Sequence, residues 1–72
     1  MDENIKMKFK QILDGQIRYT SPNLAINMLI SRLQKKYIND PGCFEACVQE
    51  FDAFAEKYPG VIKSDYANIL AL

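Results

Sequence analysis

Histidine and tryptophan are absent from these 72 residues, cysteine occurs only twice, and glycine and proline occur three times each. Each scarcity excludes something. Without histidine the chain lacks the commonest general base and metal ligand. Two cysteines and no histidine fall short of the four ligands that a structural zinc site uses. Gly15, Gly42 and Gly60 stand singly, so there is no glycine-rich loop to cradle a phosphate. No apolar run approaches the roughly 18 to 20 residues needed to span a bilayer. The opening Met1-Asp2-Glu3-Asn4 is acidic where a secretion signal would be basic. The composition therefore predicts a soluble, cytoplasmic protein that is not an enzyme and holds no cofactor, metal or small-molecule substrate.

What is present is a globular composition, 49% hydrophobic with 25% charged residues and a formal net charge of zero. A chain of 8.3 kDa permits one domain over residues 1–72, with an expected folded surface of roughly 4,600 Å². Its stability should be modest, about 4 to 10 kcal/mol. The charge is divided by sign. Lys6, Lys8, Lys10, Arg18, Arg32, Lys35 and Lys36 outnumber Asp2, Glu3, Asp14 and Asp40 in residues 1–40, whereas acids dominate from residue 41 onward. Two readings follow: solvated helix faces that happen to differ, or complementary surfaces for docking, including docking between copies.

The stretch Asp40 to Tyr58 carries the strongest pattern. Phe44, Cys47, Val48, Phe51, Phe54, Ala55 and Tyr58 recur at offsets of three and four, which puts them on one face of a helix. Glu45, Gln49, Glu50, Asp52, Glu56 and Lys57 form its polar face. Upstream, Ile5, Phe9, Ile12 and Leu13 fit a first helix capped by Asp2 and stopped at Gly15. A β-hairpin turning at Asp14-Gly15 is the rival, but its register would give two conflicting apolar faces. Ile17 and Tyr19 are expected to tuck inward from the connector.

Ser21-Pro22 reads as the start of a second helix reaching about Ile38, with serine as cap and proline as first residue. Apolar residues cover more than one face of its first half, which predicts that this helix is the most enclosed. Asp40-Pro41 restarts the chain as the third helix. Pro59-Gly60 closes that helix, and Ser64 is expected to cap a short last one bearing Tyr66, Ile69 and Leu70. The predicted fold is all-α, a compact bundle of three main helices plus a short C-terminal helix, with the second packed on the third.

Candidate sites are few. Cys43 and Cys47 lie four apart, and Cys43, in a first helical turn, is a candidate reactive thiol. Both could equally be small core-lining hydrophobes. Three or four short elements cannot cover every apolar stripe, so some surface should be left over. This points to a protein–protein contact centred on Phe54 and Tyr58, rimmed by Lys35, Lys36, Glu50 and Glu56. The predicted function is a non-enzymatic interaction module that binds another protein or itself, in the manner of an accessory subunit, an antitoxin-like or immunity-like inhibitor, or a mobile-element or phage-like regulator. The alternative is a helix-turn-helix-like nucleic-acid binder using the basic first half. The acidic outer face of the third helix opposes that alternative, because phosphates would repel it.

Overall fold

A computed structural model describes residues 1–72 as four α-helices with no strand: α1 (Glu3–Leu13), α2 (Leu24–Asn39), α3 (Phe44–Lys57) and α4 (Pro59–Leu70). A short 3-10 turn, Pro41–Cys43, joins α2 to α3. Each helix packs on its neighbours in the chain, and α4 closes back on α1 to complete a ring. The radius of gyration, 11.0 Å, is that of a fully compact chain of this length. The accessible surface of 4607 Å² agrees with the expectation from mass alone.

The first helix forms as its signals suggest. Asp2 accepts from the Ile5 amide at 2.9 Å, satisfying one of the free donors at the helix start. At the other end the Gln16 amide donates to the Gln11 carbonyl and the Gly15 amide to that of Ile12. Gly15 supplies the positive φ of 83° that this crossed pair of bonds requires. Asp14-Gly15 is thus a helix stop, and the hairpin does not form. Gln34, reaching over from α2, donates to the same Ile12 carbonyl at 3.1 Å, a second bond that ties the end of α1 to α2.

Three helix starts differ from expectation, the third because Pro41–Cys43 form a 3-10 turn and α3 begins only at Phe44, which leaves Cys43 outside the first α-helical turn. Ser21 does not cap α2; Asn23 does, its side chain accepting from the Ala25 and Ile26 amides. The Asn27 amide group takes hold of both backbone groups of Ser21, at 2.8 and 2.7 Å, and Ser21 Oγ accepts from the Asn23 amide. Those three bonds hold Ser21 outside the helix and bury it. The last helix begins at Pro59 rather than after Ser64, because Pro59 occupies the first helical position, where its missing amide costs nothing. Pro41 performs the same service in the 3-10 turn, where Asp40 caps the Gly42 amide at 3.1 Å. Ser64 is an exposed residue inside α4, which runs for 12 residues.

The core is one cluster. Ile5, Phe9, Ile12 and Leu13 of α1 meet Ile26, Leu29, Ile30, Leu33 and Tyr37 of α2, then Cys47, Val48 and Phe51 of α3 and Ile62 and Ile69 of α4. A file of aromatic rings runs through it: Tyr37 edge-on to Phe44, Phe44 to Phe9, Phe9 to Phe51 at 5.1 Å, and Phe51 to Tyr66. Ile17 and Tyr19 pack against this cluster from the connector. Such pairs add about 0.5 to 1.5 kcal/mol each beyond the area they bury, and this file ties all four helices together.

The second helix is not the enclosed one. Its inner stripe is buried, but Leu24 and Met28 on the outer stripe are 73% and 65% exposed, and Ile38 is also exposed. The physical reason is supply: the bundle has no fifth element to lay against a second face of α2. No helix is long and apolar enough to cross a membrane.

Candidate functional site

Leu24, Met28, Ser31 and Lys35 recur at three and four residues, so they form a single stripe down the outside of α2. This stripe borders a groove whose far wall is Phe54 of α3, with Leu29 and Arg32 completing it. Phe54 is half-buried, and its ring packs on that of Tyr58 at 5.0 Å between centroids. The Lys57 ammonium sits 5.6 Å over the Tyr58 ring, within cation–π range. The groove floor is apolar and its margin cationic: Lys35 takes part in no ion pair of the protein.

Below the groove, Glu50 receives Arg32 and Lys36, both at 2.7 Å. These hydrogen bonds, to Lys36 first and Arg32 second, hold the Glu50 carboxyl below the usual carboxylate range, and the same contact raises Lys36. The triad clamps α2 to α3. Lys6 meets Glu45 at 3.5 Å, and the Met1 amine meets Asp52 at 3.0 Å. All four ion pairs therefore join the basic first forty residues to the acidic remainder. The division of charge is thus spent in part inside the molecule, while Lys8, Lys10, Arg18 and Lys35 form no ion pair.

The residues singled out from the sequence separate accordingly. Phe54 and Lys35 share the groove, and Tyr58 stands beside it. Lys36 and Glu50 belong to the clamp. Glu56 lines a different depression, on the other flank of α3, together with Asp52, Lys63 and Tyr66. Cys43 is half-buried in the 3-10 turn, its sulfur 3.6 Å from that of Cys47. Cys47 is wholly buried and directs its thiol at the Leu33 carbonyl. Burial, with the neighbouring Cys43 adding to it, pushes the Cys47 thiol up to about 11.

Leu24 and Met28 were not anticipated as surface. Their signal was the apolar residues on more than one face of the N-terminal half of α2, which equally fits burial. Two carboxylates also face inward, one of them Asp52, which the pattern put on the polar outer face of the third helix. Asp65 is buried and accepts from the Tyr19 hydroxyl, while Asp52, half-buried, accepts from Tyr66 at 2.9 Å. Burial foremost, then the carboxylate, pushes Tyr19 up to about 12 and raises Tyr66 as well. Both pairs tie α4 to the rest of the bundle through polar bonds that no spacing rule reveals. Of the cations that a nucleic-acid reading would use, Lys6, Arg32 and Lys36 are engaged with carboxylates, and Lys8 donates to the Leu72 carbonyl. No family model, curated protein or solved structure matches the chain.

Proposed function

We propose that this chain is a small, non-enzymatic interaction protein that binds another protein through the outer stripe of α2 and the groove it shares with Phe54. One observation carries the reading. Leu24 and Met28 are 73% and 65% exposed on consecutive turns of one helix, next to a half-buried aromatic ring. Isolated exposed apolar side chains are ordinary, but adjoining ones around a groove are what contact surfaces are made of. Lys35 at the margin gives the partner its complement, an apolar anchor flanked by a carboxylate. A second copy satisfies this less well. Paired in parallel, two α2 stripes bring Lys35 against Lys35; paired antiparallel, they lay it over the Leu24 end, where no acid waits.

We place the protein in the cytoplasm, a compartment in which two unpaired cysteines stay reduced. An accessory, inhibitory or regulatory role accords with a chain that offers a surface and no assembled chemistry. Nucleic-acid binding is the weaker reading, since half of the cations it needs are already paired within the fold.

Affinity capture from the native host, with wild-type and Met28→Glu baits side by side, tests the proposal. The wild-type bait should retain a protein that the variant loses, while circular dichroism shows the variant folded. Recovery of the same proteins by both baits would exclude this surface. Sedimentation across concentration reads the homodimer separately, and a monomer throughout is the expected result.

A further inference from the structure

We propose that the segment seated in the α2 groove is an acidic amphipathic helix of the partner, lying antiparallel to α2 with the carboxylates of its first turn against Lys35. The inference rests on the reading of this groove as the contact surface and adds the class of chain that occupies it. The register of α3 on α2 divides the groove lengthwise. Tyr37 meets Phe44, the Leu33 carbonyl faces the Cys47 thiol, and Glu50 takes Arg32 and Lys36. Residue numbers rise along one helix as they fall along the other, so the two run antiparallel, and Phe54 falls one turn further on, toward Met28 and Leu24. That end of the groove is apolar, with Leu29 in its floor and Tyr58 stacked on Phe54. At the other end come Arg32, Lys35 and Lys36, opposed by one carboxylate, Glu50, which leaves Lys35 in no ion pair.

Length, backbone and relief select a helix. From Leu24 to Lys35 the stripe covers three turns, about 16 Å, a span that a partner helix fills with apolar anchors at three- and four-residue spacing and one charged turn. The backbone on both walls of the groove is helical, so no strand edge is free for an extended peptide to join. The apolar end is recessed, for Phe54 is half-buried and Leu29 buried. A ridge of side chains on a helix reaches them, whereas a flat bilayer surface does not. Charge sets the direction. Carboxylates are favoured in the first turn of a helix, where the free amides and the dipole are positive. Placing that turn at Lys35 pairs it with the cations and leaves the following turns for Met28, Phe54 and Leu24. The dipoles of the partner helix and α2 then oppose one another, which is their favourable arrangement side by side.

The probe is a synthetic peptide of about 15 residues, with two glutamates in its first turn and leucines at three- and four-residue spacing thereafter, titrated into the isotope-labelled full chain and followed by nuclear magnetic resonance. A second peptide carries lysines in place of the glutamates, and a third moves the glutamates to its last turn. The acidic peptide should shift the amides of Leu24, Met28, Lys35 and Phe54, and should bind about tenfold more tightly than the lysine peptide. Lys35→Gln should erase that preference and Lys35→Glu reverse it, both at an exposed position and both folded by circular dichroism. No shift at those amides in millimolar peptide, a preference unchanged in either variant, tighter binding of the third peptide, or binding to phosphatidylglycerol vesicles that Met28→Glu abolishes would overturn the proposal. The surface itself is judged separately. A host protein lost by the Met28→Glu bait, with no peptide shift, removes the acidic helix and leaves the surface, whereas equal recovery by both baits removes the surface.

Discussion

The two faces of α2 share the same kinds of side chain and meet opposite fates. On the inner face Ile26, Leu29, Ile30, Leu33 and Tyr37 are buried in the core between α1 and α3. On the outer face Leu24 and Met28 lie open. Periodicity alone separates the two stripes but does not say which will be covered. What decides is the number of partners: in a ring of four helices each helix has two neighbours and one inward side. A second apolar stripe is then left for something outside the chain. The inner face holds the fold together, and the outer face is free to bind.

Substitutions should sharpen this contrast, beginning where the inner face is densest. Phe51→Ala removes a fully buried ring that contacts Phe9 and Tyr66. Its cost of about 3 to 5 kcal/mol is comparable with the total stability of about 4 to 10 kcal/mol expected for this size. A largely unfolded circular dichroism spectrum at 37 °C is the expected outcome. Tyr19→Phe should come next. It leaves the buried Asp65 carboxylate without its hydroxyl partner, at about 1 to 3 kcal/mol for a buried group left unsatisfied. Urea denaturation of the variant would measure the loss directly.

Alkali probes the same polar bond without mutation. Tyr19 is raised from 10.0 to about 12 in the folded chain, so the fold favours its neutral form. Its contribution is whole below pH 10 and is lost as the pH climbs toward 12. Melting temperatures should fall across that window, and Tyr19→Phe should flatten part of the fall. Glu50→Gln should have a smaller effect, because the clamp with Arg32 and Lys36 is largely solvated. Here the sign is reversed: the Glu50 carboxyl is lowered in the fold. Its contribution is present above the ordinary carboxylate range and disappears as acid takes the pH through the lowered value. Denaturation midpoints at low and high salt should converge for wild type and variant as salt rises.

Much of this architecture was legible in the residues. The first helix follows from Asp2 and Gly15, and the third from its single apolar face between Phe44 and Tyr58; Asp40 caps the 3-10 turn, and α3 itself starts at Phe44 without a side-chain cap. The start of α2 went astray because two caps compete there. Ser21 and Asn23 both suit a helix start, and only the grip of Asn27 on Ser21 decides between them. Ser64 loses to a start that has no side-chain cap at all: Pro59 stands at the first helical position, and Ile62, Asp65 and Ile69 then share one buried face of α4. The proposed site was half visible. Phe54 and Lys35 belong to it by position along their helices, but Leu24 and Met28 enter only once the packing shows that nothing covers them. Glu50 and Lys36 left the site because their charges find each other across α2 and α3, a long-range pairing that no local pattern encodes.

The central claim is that the outer stripe of α2 plays no part in holding the chain folded. The double variant Leu24→Gln/Met28→Gln tests it most directly, through its urea midpoint beside that of the wild type. The two should agree to within about 0.5 kcal/mol per site, as surface substitutions do. A loss on the scale of a core deletion, about 2 to 5 kcal/mol, would show that these side chains are part of the core and contradict the account.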